Sequence, residues 1–139
     1  MNVRVLVLGA SGMLGSALVQ HFYQRDGYEV IGTVRDALPN NELRKRCRST
    51  ILSGVHATNL NELENVIVSH QPGVIVNCIG VVKQLKESSD PLIALPVNSL
   101  FPHHLLQLCI RHRARLIHIS TDCVFSGKNG QYKEDSFRD

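Results

Sequence analysis

Within its first fifteen residues the chain runs from Val3-Arg4-Val5-Leu6-Val7-Leu8 straight into Gly9-Ala10-Ser11-Gly12-Met13-Leu14-Gly15. The first segment is short, apolar and rich in β-branched side chains, which suits a strand buried on both faces. The second carries glycines three apart. The first glycine lets the chain turn sharply off the strand. The second removes a Cβ where backbone must approach a diphosphate, and the third lets the next helix pack close to the sheet. A helix opening there offers free N–H groups and a partial positive charge to phosphates. A tight strand-to-helix turn without a ligand would share the pattern. Its place after a strand, before a helix and at the head of a repeating pattern favours dinucleotide binding through Gly9, Ser11, Gly12, Met13, Leu14 and Gly15.

The rest of the chain repeats the alternation. Leu14, Ala17, Leu18, His21 and Phe22 recur at helical spacing over 13–24. Tyr28 to Val34 reads as a second strand and Thr50 to Val55 as a third. Leu60, Leu63, Val66 and Ile67 share one face of a helix over 59–70, with Asn59 or Thr58 as its cap. Pro72-Gly73 stops it, and Val74 to Ile79 is a fourth strand closed by Gly80. Pro91 to His112 is a long helix interrupted or kinked by Pro96 and Pro102. Its basic end, Arg111, His112, Arg113 and Arg115, opposes the negative end of the helix dipole. Leu116 to Ile119 is a fifth strand, followed by a loop to Asp139.

Strands alternating with helices predict right-handed βαβ units. The fold class is α/β, a Rossmann-type doubly wound parallel sheet in three α/β/α layers with strand order 3-2-1-4-5. The cleft then opens at the carboxyl ends of the first and fourth strands. Arg35, twenty positions after Gly15 at the end of the second strand, suits the 2′-phosphate of NADP. Asp36 beside it could serve the ribose hydroxyl instead, which leaves NAD open. Acids at strand ends would suit a receiver domain; this chain offers glycine and asparagine there.

The 139 residues suffice for one domain and not for two. A hydrophobic share of 43% against 19% charged is a globular balance rather than a disordered one. The net charge of +3 is mild, no Trp is present, and no basic stripe lies beside aromatics, so small anions are expected rather than nucleic acid. No apolar run approaches the roughly 20 residues that span a bilayer, and no membrane partner is expected. Cys47, Cys78, Cys109 and Cys123 are scattered without metal spacing, and Cys78 and Cys109 read as buried thiols. These features suggest a reducing compartment and a cytoplasmic protein.

The glycine turn, Asn77-Cys78-Ile79-Gly80, Val97-Asn98 and above all Ser120-Thr121-Asp122-Cys123-Val124-Phe125-Ser126-Gly127, followed by Gly130, Tyr132 and Glu134, resemble the extended short-chain dehydrogenase/reductases, in particular the dTDP-4-dehydrorhamnose reductase group. The resemblance covers essentially the whole chain. It implies reduction of a nucleotide-bound keto sugar by a nicotinamide hydride. It places Thr121 at the reacting carbonyl, Asp122 and Cys123 beside the sugar, Asn77, Ile79 and Gly80 along the cofactor ribose, and Asn98 in support. Cys123 stands where the group usually has Tyr, and His56 and Gly73 stand where acids are common. The group's Tyr-x-x-x-Lys is absent, since Ser136 follows Tyr132 at the fourth place. The resemblance thus implies an NAD(P)-binding domain over 1–139, with the catalytic pair and the substrate domain beyond it, and little reductase activity in this chain by itself. The regulatory subunit of methionine adenosyltransferase resembles the same group, so a non-catalytic NADP-binding regulator is the alternative. An exposed fifth strand would favour self-association, and hence a homodimer.

Overall fold

The computed structural model describes residues 2–36, 47, 51–82, 89–121, 124–128 and 130–138. Five strands, β1 (Val3–Leu8), β2 (Tyr28–Val34), β3 (Ile51–Ser53), β4 (Val74–Asn77) and β5 (Arg115–His118), form one sheet in the order β3-β2-β1-β4-β5. Every pairing is parallel, with Val5 opposite Val30 on one side and Val74 on the other. This is the expected Rossmann-type order.

The layers follow from the pleat. Successive side chains of β1 point to opposite faces. Val5 and Val7 join Val30, Val34, Val76 and Val19 of helix α1 (Met13–Tyr23) in one core. Leu6 and Leu8 join Ile31 and Ile75 in a second core under Leu63 and Ile67 of α2 (Leu60–His70) and Phe101, Leu105, Leu108 and Cys109 of the last long helix. Each fully buried Leu or Val contributes about 1.5–3 kcal/mol. Cys47, whose polar and basic neighbours in the chain did not mark it as a core residue, is buried in the first core.

Asn59 caps α2 by accepting the Glu62 amide at 3.3 Å. The glutamate turns outward and accepts the His56 amide at 3.3 Å. The long helix is composite: α3 (Pro91–Leu95), a π-helical turn (Pro96–Leu100) and α4 (Phe101–Arg111). The Phe101 amide reaches back to the Pro96 carbonyl. Pro102 has no amide and its ring would press on the carbonyl four residues earlier in an α-helix, so a wider turn just ahead of it relieves the conflict without a break. The run Pro91–Arg111, 21 residues with mean hydropathy 1.2, is long and apolar enough to cross a membrane by length and composition alone, a test that core helices also pass. Its Phe101, Leu105, Leu108 and Cys109 are nonetheless buried against the sheet.

Candidate functional site

The turn after β1 separates the roles of its glycines. Gly9 has φ +82°, and a Cβ there would press on Ile79 Cγ1 at 3.1 Å and the Cys78 carbonyl oxygen at 3.2 Å. Gly15 is buried, and a Cβ on it would collide with the Gly9 carbonyl. Both glycines are therefore required by packing. Gly12 is different. Its φ of −75° suits any residue, and a Cβ would meet only the Gly9 oxygen at an ordinary 3.4 Å. The bare edge of Gly12 faces a cleft of about 620 Å³. Helix α1 opens there with no side-chain cap and no acid in its first turn, so its first amides and the positive end of its dipole are available to an anion. Met13 and Leu14 begin the helix, but their side chains are exposed and do not line the cleft.

The facing wall is the chain after β4, where Cys78, Ile79, Gly80 and Val81 line the cleft. Asn77 does not. It is completely buried, its Oδ1 accepts the Ile79 amide at 3.0 Å, and its Nδ2 lies 3.1 Å from His118 Nδ1 on β5. Because Asn77 uses its oxygen on Ile79, its amide donates and His118 Nδ1 accepts. This capture of Ile79 ends β4 at Asn77, two residues earlier than its apolar run suggests. Asn98, on the π-helical turn, accepts the Val81 amide at 2.8 Å and donates to the Val81 carbonyl at 2.9 Å. Asn77 and Asn98 thus shape the wall from behind. Burial pushes the Cys78 thiol above its usual range.

The third wall joins the ends of β2 and β3. Thr33, Val34, Arg35 and Asp36 line it together with Val55, His56, Ala57 and Thr58. The Gly54 amide donates to the Arg35 carbonyl and the Val55 amide to the Val34 carbonyl, each at 3.1 Å. Arg35 Nε donates to Asp36 Oδ2 at 2.9 Å, with both side chains about three-quarters exposed (75% and 74%). Of the two positions that depart from the family's acids, His56 lines the cleft, whereas the Gly73 amide donates to the Arg4 carbonyl at the opposite end of the sheet.

Gly9, Ser11, Gly12, Arg35, Ile79 and Gly80 are brought together as expected, while Val55, Ala57, Thr58, Ile93 and Val97 were not anticipated. The strand order already carried a signal for the 55–58 segment, because β3 beside β2 sets its carboxyl end against Arg35. Thr121 is exposed just past β5, at the same carboxyl edge of the sheet but outside the cleft lining. Asp122 and Cys123 lie outside the described residues. Beyond them, Phe125 stacks on Tyr132 with ring centres 4.5 Å apart. His112, at the basic end of the long helix, is engaged by Glu64 at 2.8 Å.

Comparison with known proteins agrees with this architecture. Residues 3–138 match the family described as RmlD substrate binding domain. A dTDP-4-dehydrorhamnose reductase of Streptomyces griseus is 35% identical over 133 residues, 95% of this chain and 38% of that protein. A methionine adenosyltransferase 2 subunit beta of Bos taurus is 31% identical over 134 residues, 96% of this chain and 37% of that protein. The fold is shared with a solved dTDP-4-dehydrorhamnose reductase of Bacillus anthracis in complex with NADP (TM-score 0.73, 22% identity, 94% of this chain and 40% of that one). The chain spans well under half the length of these relatives. With a family match that runs from the first strand almost to the last residue, the chain belongs to the RmlD substrate binding domain family.

Proposed function

We propose that this chain is the NADP(H)-binding part of a nucleotide-sugar reductase like the dTDP-4-dehydrorhamnose reductases it is similar to. The observation that carries the proposal is Gly12, whose missing side chain serves no packing need of the protein and leaves backbone bare at an uncapped helix start facing the cleft. The bound dinucleotide would supply a hydride from its nicotinamide ring. The first amides of α1, at Met13, Leu14 and Gly15, hold the diphosphate. Arg35 receives the 2′-phosphate, with Asp36 available to a 2′-hydroxyl. The Ile79–Val81 wall, fixed by Asn77 and Asn98, lies along the nicotinamide ribose. Thr121 hydrogen-bonds the substrate carbonyl, with Asp122 and Cys123 beside the sugar.

Carbonyl reduction needs a proton donor as well as a hydride. No Tyr-x-x-x-Lys occurs in the 139 residues, so we assign little or no keto-sugar turnover to this chain by itself and place the donor pair and the sugar domain in additional sequence. Cys78 and Cys109 are free thiols, which suits a reducing, cytoplasmic setting. Ile117 and Ile119 at the exposed β5 edge, with Ile110 on α4, support self-association, which light scattering of Ile117→Lys against the wild-type chain would test.

The methionine adenosyltransferase subunit among the relatives favours a second reading, an NADP-binding regulator without turnover. Calorimetric titration with NADPH and NADH, before and after Arg35→Ala, tests the shared part of both. NADPH should bind better and the substitution should erase the preference. Equal binding of both dinucleotides by wild type and variant would remove Arg35 from the site.

A further inference from the structure

Resting on the dinucleotide reading, we propose that His118 is a positioning residue for the cofactor wall after β4. Acting through Asn77, it holds the Ile79 amide, so the strand that leads to Thr121 also sets the surface beside the nicotinamide ribose.

The strand register brings the pair together. β4 and β5 run parallel with Asn77 opposite His118. Two residues back, Ile75 and Leu116 stand opposite each other on the second core, and by the alternation of a strand Asn77 and His118 share that face. The backbone around Asn77 is fixed on both sides. Its carbonyl accepts the Ile119 amide, and the Cys78 amide donates to the Leu8 carbonyl, each at 3.1 Å. Beyond Cys78 the ladder stops, and the turn of the chain is held by Asn77 Oδ1 on the Ile79 amide at 3.0 Å. Ile79 in turn borders the glycine turn, since a Cβ on Gly9 would lie 3.1 Å from its Cγ1.

The amide of Asn77 has two possible orientations, and His118 selects one. With Oδ1 on Ile79, Nδ2 faces His118 Nδ1 at 3.1 Å, a donor against the bare nitrogen of a neutral ring whose proton sits on Nε2. Turned over, the amide would set Nδ2 against the Ile79 N–H, two donors face to face. Asn77 is 0% exposed, and His118 is the partner of its Nδ2 among the described residues. A buried amide left without an acceptor costs more than the bond itself contributes. Removing the acceptor therefore drives the Asn77 side chain to rotate toward water, and Ile79 loses its anchor.

The test uses the purified chain and a pair of variants. His118→Leu keeps bulk beside Asn77 and offers no acceptor, whereas His118→Asn restores an oxygen near the place of Nδ1. In His118→Leu, amide hydrogen exchange read by NMR should speed up at Ile79 roughly tenfold beyond any change at Leu6 and Ile31, whose amides in the centre of the sheet report global unfolding. NADPH affinity by calorimetry should fall roughly fivefold, the effect of one lost hydrogen bond. Both should return to within about twofold of wild type in His118→Asn. In wild type at pH 8, where an imidazole is ordinarily neutral, nitrogen NMR should find the His118 proton on Nε2. A proton on Nδ1, an Ile79 rate that rises no more than those of Leu6 and Ile31, or equal losses in the two variants overturns the proposal. Faster Ile79 exchange with NADPH affinity intact overturns it too, while the cofactor reading stands. A folded wild type that binds no NADPH overturns the cofactor reading and the positioning role with it.

Discussion

Asn98 and Val81 are joined by two reciprocal hydrogen bonds, the side-chain oxygen accepting at 2.8 Å and the side-chain amide donating at 2.9 Å. A helix thereby treats a loop as if it were a neighbouring strand, and the wall after β4 keeps its shape without regular structure. Net contributions of about 1 kcal/mol per hydrogen bond make the expected effect of Asn98→Ala about a tenfold loss of NADPH affinity. The melting temperature should move by only a few degrees. Unchanged affinity, measured by calorimetry, would mean that the Val81 segment does not touch the ligand.

Gly15→Ala should act on the fold itself. Its Cβ would run into the Gly9 carbonyl and lie 3.1 Å from Ala10 Cα, both backbone and neither able to yield easily. A destabilisation of about 1–3 kcal/mol is expected from such overpacking, read as a lower denaturation midpoint. A midpoint equal to that of the wild-type chain would show that the turn relaxes.

The thiols should separate by environment. Cys109 is 1% exposed and its pKa is pushed up to about 11 by burial, so it should resist alkylation in the native chain until global unfolding. Cys78 is half-buried and lines the cleft. Burial raises its pKa as well, so its labelling should be slow at neutral pH and accelerate on going alkaline. NADPH should protect it. Mass spectrometry of the modified sites reports both, and Cys78 labelling indifferent to NADPH would place the ligand elsewhere.

Glu64 ties α2 to the end of α4. Its carboxylate accepts from His112 at 2.8 Å and Arg111 at 2.7 Å, and these bonds, His112 first, hold its pKa below the usual 4.5. A folded-state pKa below the unfolded one means stability present above that unfolded value and lost as pH falls through the lower folded one. The stability difference between wild type and Glu64→Gln should therefore be present at pH 6 and shrink as the pH falls below about 4.5, as urea titrations at both pH values would show. A pH-independent difference would mean that the pairing contributes nothing.

Much of the fold was legible because its strands are buried on both faces and read as unbroken apolar runs. Val3–Leu8 and Tyr28–Val34 came out with the expected ends. Gly9 and Gly15 were legible because their constraint is local, one strand and one helix start. Asn77 was misplaced at the cofactor because its environment depends on His118, forty-one positions away. The π-helical turn at Pro96–Leu100 was expected only as an interruption, since proline signals strain without specifying how the backbone resolves it. Val55 and Ala57 were not expected at the cleft because neither carries chemistry alone; they join its wall through the register of β3 beside Gly32 to Val34.

The central claim is that the cleft over the glycine turn holds a dinucleotide, and Gly12→Ala tests it most directly. The substitution fits the backbone and meets nothing closer than 3.4 Å, so the variant should fold with a melting temperature within a few degrees of wild type. Calorimetry should then show NADPH bound by wild type and at least tenfold weaker in the variant, because the new methyl group stands where the diphosphate must approach the backbone. Equal NADPH affinity in the two proteins would contradict the account and return the turn to a purely structural role.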